Sequence, residues 1–312
     1  MLQHATLIEP GLLNPEQAFL TDDSQTILRF AADALTAGMA AALVTLVEIR
    51  GGAARPLGAQ MAVREDGLYC GFVSGGCVES AVAYEAMEAM RSGHDRTVMY
   101  GEGSPYFDIV LPCGGGITLT VHNLRAVQPL LAVLNSLEQR KAAGLRYSPG
   151  SQTLVSTHNG QTGWVGGDFV VNYRPCTRVI VYGHSLEAHV TAHVAKAAGF
   201  DVHTSDSVDP KTALLLIDDD TAVLLLYHDL HRELPLLQCA LAAQPFYIGA
   251  LGSSRTHEKR VAALAGAGWS PEDIARIKAP VGIFPKARDA HSLALSVLAD
   301  IAAVRHARLS AR

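Results

Sequence analysis

The sequence predicts an α/β chain: an N-terminal mixed α/β domain followed by a Rossmann-like, doubly wound parallel-sheet domain. Three observations carry this. Up to about residue 125, apolar strand-like runs are joined by Gly-rich turns and broken by two helical stretches. From residue 177 onward, strand and helix patterns alternate, which implies a parallel sheet with helices on both faces. Between them, residues 126–176 read as a connecting helix and a linker, giving domains at 1–125 and 177–312.

Residues 1–20 are polar and proline-marked, and read as surface. Asp22, Asp23 and Ser24 can cap a helix over Gln25–Thr36, where Ile27, Phe30, Ala31, Ala34 and Leu35 recur at helical spacing, and Gly38 ends it. Ala41–Ile49 is apolar on both faces and so reads as a buried strand. Gly51–Gly58 is a loop, Gln60–Val63 a second strand, and Arg64-Glu65-Asp66-Gly67 a hairpin turn into a third strand, Gly67–Val73. The turn Ser74-Gly75-Gly76-Cys77-Val78-Glu79 leads into an Ala- and Met-rich helix to Arg91, with Gly93 suited to its C′ position. Thr97–Tyr100 and Ile117–His122 are strands on either side of a loop that carries Cys113-Gly114-Gly115-Gly116. Val127–Ala143 reads as a helix, and Gly144–Tyr173 as irregular or hairpin-like.

In the second half, strands are expected at Val179–Tyr182, Phe200–Asp206, Leu214–Ile217, Ala222–Tyr227 and Phe246–Gly249. Helices are expected from Gly183 to Ala198, at Leu234–Ala243, at Arg255–Ala265 and at His291–Arg305.

Composition narrows the function classes. The chain has 312 residues, 49% of them hydrophobic and 18% charged, with a net charge of -5. No basic block is present, which argues against nucleic acid as a partner. The apolar runs are short and broken by charge, so no membrane span is expected. Met1-Leu2-Gln3-His4 lacks the features of a signal peptide. The five cysteines form no CxxC pair and no disulfide framework, so a cytoplasmic location with reduced thiols is expected.

Cys77 and Cys113 are the leading candidate residues. Each sits against two or three glycines at a strand-to-loop junction. Open N–H groups at a helix start hold anions, and such a start favours thiolate. Glycine lets a ligand reach the backbone, and a thiolate suits a soft metal or a sulfur-bearing cofactor. The alternative is that both are small buried residues. Cys70, Cys176 and Cys239 lack this context and read as structural. Arg55, in the loop between two strands, can bind phosphate or be a solvated loop arginine.

Gly183-His184-Ser185-Leu186-Glu187-Ala188 stands where a dinucleotide fingerprint would, with Asp206 where an acid would reach a ribose. Ser185 replaces the second glycine, and Glu187 adds negative charge. The fold signal survives, and NAD or FAD binding is weakened. His228, at a strand end, is either an acid–base group or a helix cap. Arg255, at a helix start, is either a phosphate contact or part of a tight turn.

These stretches resemble the xanthine dehydrogenase accessory proteins, the XdhC/CoxI family of molybdenum-cofactor chaperones. The similarity rests on ALVTLVEIRGGAARPLGAQM, GFVSGGCVESAVAYEAM and DIVLPCGGGITLTVH in the first half. In the second half it rests on VIVYGHSLEAHVTAHVAKAAGFDVHTSD, QPFYIGALGSSRTHEKRVAAL and RIKAPVGI.

The resemblance implies a chaperone rather than an enzyme. Such a protein binds molybdenum cofactor, holds it for sulfuration by a cysteine desulfurase, and inserts it into a molybdenum hydroxylase of the xanthine or aldehyde dehydrogenase type. The cofactor is molybdopterin in its mononucleotide or cytosine dinucleotide form. It also implies that Cys77 and Cys113 contact the cofactor and its molybdenum, with Ser74, Gly75, Gly76, Gly114, Gly115 and Gly116 as backbone cradle. Arg55 matches the arginine of the family's S-P-R-x-x-G loop, with Ala53-Ala54 in place of the usual small polar pair.

Three departures fall around the nucleotide crevice of Gly183, Ser185, Ala188, Asp206, His228 and Arg255. They are the Gly183–Ala188 turn itself, Leu226-Tyr227-His228-Asp229, and Ile283–Ala287. The rival readings are an NAD(P)- or flavin-dependent oxidoreductase using the second domain, and an interaction scaffold without cofactor. A homodimer is expected, with no interface legible in the sequence.

Overall fold

The computed structural model describes residues 14–104, 114–158, 160–205, 214–227, 229–284 and 287–310. Cys113, Asp206 and His228 lie outside the described residues. The chain divides into two compact units, Met1–Pro175 and Cys176–Arg312.

The first unit is built on a six-stranded sheet. Its strands are β1 (Glu16–Gln17), β2 (Ala41–Arg50), β3 (Gln60–Arg64), β4 (Leu68–Gly71), β5 (Arg96–Gly101) and β6 (Gly116–Asn123), in the order β1-β4-β3-β2-β6-β5. All pairings are antiparallel except the parallel β1–β4 pair. β1 falls in the stretch expected to be plain surface; it is short and polar, and it adds only an edge to β4.

β2 lies at the centre and is apolar on both sides because both sides are covered. Leu43 and Val47 face one core, with helices α1 (Ser24–Thr36) and α3 (Gln128–Glu138). Val44 and Leu46 face the other, with α2 (Glu79–Ser92). Asp23 caps α1 by accepting from the Thr26 N–H at 2.8 Å. Gly93, at φ 71°, closes α2.

The helix expected to reach Ala143 stops at Glu138. Arg140 takes a positive φ of 57° and turns the chain into a strand. The following residues, expected to be irregular or hairpin-like, form a four-stranded antiparallel sheet. It comprises β7 (Ala143–Ser148), β8 (Thr153–Thr157), β9 (Gly163–Val165) and β10 (Asp168–Tyr173) in the order β8-β7-β10-β9. Leu145, Phe169, Val171 and Tyr173 carry it into the core of α1 and α3.

Antiparallel pairing brings three connections to one end of the large sheet. β2 and β4 end there at Arg50 and Gly71, β5 ends there at Gly101, and β3 and β6 begin there at Gln60 and Gly116. The loops of Arg55, Cys77 and Gly114 are therefore neighbours by topology. At the opposite end Asp95 ties the two sheets together. Its carboxylate takes His122 Nδ1 at 2.6 Å, the Asn123 N–H at 3.0 Å and the Tyr147 hydroxyl at 2.9 Å.

The second unit is a five-stranded, wholly parallel sheet. Its strands are β11 (Arg178–Tyr182), β12 (Asp201–Ser205), β13 (Thr221–Leu225), β14 (Tyr247–Ala250) and β15 (Ile277–Lys278), in the order β12-β11-β13-β14-β15. Val179 and Val181 face a core with α4 (Leu186–Ala197) and the long helix α8 (Ala290–Ser310). Ile180 and Tyr182 face the opposite core with α5 (Leu230–Ala243) and α6 (Ser254–Gly266). A four-residue helix, α7 (Pro271–Ile274), leads into β15. The chain reverses direction across the sheet between β11 and β13, which sets the crevice at their C-terminal ends.

Residues 214–216, expected in a strand, are helical. Their apolar run reads alike in either form, since only Ile217 is buried while Leu215 is 87% exposed.

Candidate functional site

The turn between β4 and α2 is braced from inside. α2 has no side-chain hydrogen bond from its N-cap residue, Val78. Its first residue, Glu79, is 3% exposed and reaches back under the turn. The Glu79 carboxylate accepts the N–H groups of Val73 at 3.1 Å, Ser74 at 2.7 Å and Val78 at 3.2 Å. It also accepts the Ser74 hydroxyl at 2.7 Å. Ser74 Oγ in turn accepts the Cys77 N–H at 3.2 Å.

An anion at a helix start is favourable, and here the protein supplies it. The expectation of several open N–H groups therefore narrows. Among the described residues, the N–H groups of Gly75, Gly76 and Glu79 take part in no hydrogen bond within this turn. Both glycines and Cys77 are exposed. Ser74 is buried and acts as the link between Glu79 and Cys77.

The other cysteine on the way into this turn behaves differently. Cys70 is buried on the α1 side of β4, and burial pushes its thiol up to about 12. That removes it from thiolate chemistry. Tyr69, beside it, is raised by burial and by the Glu79 charge.

The Arg55 loop lies between the two glycine-rich loops. A Cβ on Gly75 would touch the Ala54 methyl at 3.4 Å, and one on Gly115 would overlap the carbonyls of Arg50 and Gly52. Gly115 and Gly116 are buried packing glycines, and Gly114, beside Cys113, is exposed. Arg55 Nη1 donates to Asp22 Oδ2 at 2.9 Å, and its guanidinium lies over the Phe72 ring at 5.2 Å. The structure thus brings Arg55, Ser74, Gly75, Gly76, Cys77 and Gly114–Gly116 to one end of one sheet.

Glu79, Phe72, Asp22 and Arg50 join these residues at the site, Asp22 as the partner of Arg55 and not as the helix cap. Arg50 holds the Gly101–Gly103 turn to the start of β6, with Nε on Glu102 O at 3.0 Å and Nη1 on Thr118 Oγ1 at 2.7 Å. Among these residues only Glu79 carried a signal, a carboxylate in the first turn of a helix whose N-cap residue is apolar. Among the described residues no group of three His, Cys, Asp or Glu side chains is arranged to hold a metal ion.

The second unit's turn is organised differently. Gly183 presses on the next strand, where a Cβ would lie 2.7 Å from Leu226 O. Ser185 caps α4 by accepting the Ala188 N–H at 3.3 Å, one of the donors that a pyrophosphate would use. Gly183 and Ala188 line a 370 Å³ cavity with His184, His189, His193 and Lys196. A 460 Å³ cavity at the ends of β14 and β15 is lined by Glu187, Leu251, Ser253, Phe284, Arg288 and Leu293, among others. Arg255 is exposed on α6, outside the linings of both cavities. Behind it, Arg260 is buried and paired with Glu233 through Nε–Oε1 at 2.6 Å, and it also donates to Leu251 O. That pair fixes the turn from β14 into α6. Among the described residues no helix is long and apolar enough to cross a membrane.

Comparison with known proteins bears on both units. Residues 34–101 match the model of the XdhC and CoxI family, and residues 179–301 match that of the XdhC Rossmann domain. The chain is 66% identical to the molybdenum cofactor insertion chaperone PaoD of Escherichia coli (strain K12), over 93% of this chain and 92% of that one. It is 24% identical to a probable xanthine dehydrogenase subunit of Bacillus subtilis (strain 168), over 85% of this chain and 93% of that one. A crystal structure described as a xanthine dehydrogenase from Bacillus halodurans shares the fold, with a TM-score of 0.69 at 22% identity. That likeness covers 90% of this chain and 96% of the other.

Proposed function

The chain belongs to the XdhC and CoxI family, and on that premise we propose that it is a chaperone that binds molybdenum cofactor and inserts it into a molybdoenzyme. The observation that carries this is the 66% identity, nearly end to end, to a molybdenum cofactor insertion chaperone. The client is a molybdenum hydroxylase. The cofactor is the cargo, held while a cysteine desulfurase supplies the sulfur that replaces its terminal oxo ligand. A homodimer is the working assembly.

The first unit supplies chemistry that suits this cargo. The exposed Cys77 thiol can supply a soft ligand for molybdenum. The free N–H groups of Gly75 and Gly76 can donate to an oxyanion without a side chain in the way. Arg55, held over Phe72, suits the phosphate of the pterin tail. The family resemblance makes Cys113, next to Gly114 in sequence, a second thiol for the cargo.

Transfer of labelled cofactor from the purified protein to a cofactor-free hydroxylase tests the reading. Activation that depends on the chaperone supports it, and activation at the same rate without the chaperone contradicts it.

A further inference from the structure

Arg55 has a carboxylate where a phosphate would go. α1 does not need that carboxylate, because Asp23 caps the helix and Asp22 does not. Among the described residues the side-chain partner of Asp22 is Arg55. The Asp22 side chain is 72% exposed and Arg55 only 28%. The arginine is thus the fixed member and the aspartate the loose one. The guanidinium lies over the Phe72 ring at 5.2 Å, a contact in which Asp22 takes no part. An exposed ion pair of this kind is weak and easily given up. A phosphate ester carries about two negative charges near neutral pH and can accept from a guanidinium in bidentate fashion.

We propose that Asp22 is the chain's own stand-in for the ligand's phosphate. It keeps Arg55 on Phe72 in the empty protein and is displaced when a phosphate ester binds beside Gly75. The exchange makes Asp22 a specificity determinant. A carboxylate ligand only replaces one single charge with another, whereas a phosphate gains charge. The inference rests on the cofactor-site reading of the first unit, and its test separates the two.

The experiment titrates wild type, Asp22→Asn, Arg55→Ala and the double variant with molybdopterin and, separately, with inorganic pyrophosphate. Glu138→Gln, a surface variant of the same charge change whose partner is Arg29 and not Arg55, serves as control. Asp22→Asn tightens both ligands by roughly two- to five-fold, the scale of an exposed ion pair. Arg55→Ala weakens both. In the Arg55→Ala background the Asp22 effect vanishes, since the two act as one unit.

Three results overturn the proposal: Asp22→Asn no tighter than wild type, the same gain in Glu138→Gln, or the same gain without Arg55. Absence of pyrophosphate and molybdopterin binding to wild type and Asp22→Asn also overturns it. If pyrophosphate follows the pattern and molybdopterin does not bind, the exchange stands and the cofactor reading fails.

Discussion

Two glycine-bearing turns, each joining a strand to a helix, stand in the two units, and they solve the helix start in opposite ways. At Ser185 the cap is local: a hydroxyl takes the N–H three residues on, and Gly183 is pressed against Leu226 O. At Cys77 the brace comes from within the helix, as Glu79 collects the N–H groups on either side of the glycines. The first arrangement uses up a helix-terminal donor and leaves no bare backbone at the second fingerprint position. The second pushes Gly75, Gly76 and Cys77 outwards. A buried carboxylate at the helix start thus presents a loop, where a serine cap closes one.

The largest expected effect breaks the brace. Glu79→Ala strands the N–H groups of Val73, Ser74 and Val78, and should cost about 3 kcal/mol or more. Urea denaturation measures this, and faster alkylation of Cys70 would report that the turn has loosened. A loss below about 0.5 kcal/mol would show that the turn does not depend on Glu79.

Gly115→Ala comes next. Its methyl must displace the Arg50–Gly52 backbone, a shift costing about 1–3 kcal/mol. Thermal unfolding checks the cost, and cofactor content checks whether the Arg55 loop has moved with it.

Ser185→Ala should cost about 1 kcal/mol through loss of the cap, and Ser185→Gly only a few tenths. Neither should alter cofactor content in the first unit. A fall in that content would blur the contrast between the two turns.

The far end of the first sheet gives the smallest effect and a control. Burial works to raise the Asp95 carboxyl, but the hydrogen bonds from His122, Asn123 and Tyr147 outweigh it and hold the group below the usual range. The stability it contributes is therefore full above the ordinary Asp range, about pH 4, and is lost as pH falls through the lowered folded value. An acid titration of stability should show that loss, and Asp95→Asn should flatten it without changing Cys77 alkylation.

Much of this architecture was legible in the sequence because period and punctuation agreed. β2 reads as doubly buried and is, since helices cover both its faces. The alternation after residue 177 pointed to the parallel sheet for the same reason. The four strands from Ala143 to Tyr173 were obscured because β8 and β9 are largely exposed and their apolar residues, Val155, Trp164 and Val165 among them, face solvent without a clean alternation. Residues 214–216 were obscured by a run of leucines that fits either form.

In the site, the glycines and cysteines announced themselves by spacing. Glu79 did not, because its function lies in a side chain folded back under its own turn. Asp22 did not, because its partner lies across a loop rather than along the helix it precedes.

The proposed function requires that the loop presented by Glu79 hold cofactor through Cys77. Molybdopterin content of purified wild type and Cys77→Ala, measured by mass spectrometry alongside thermal unfolding, tests it most directly. A several-fold loss of molybdopterin is expected in the variant with an unchanged unfolding temperature, because Cys77 is exposed and supports no core. Equal molybdopterin in both proteins would contradict it.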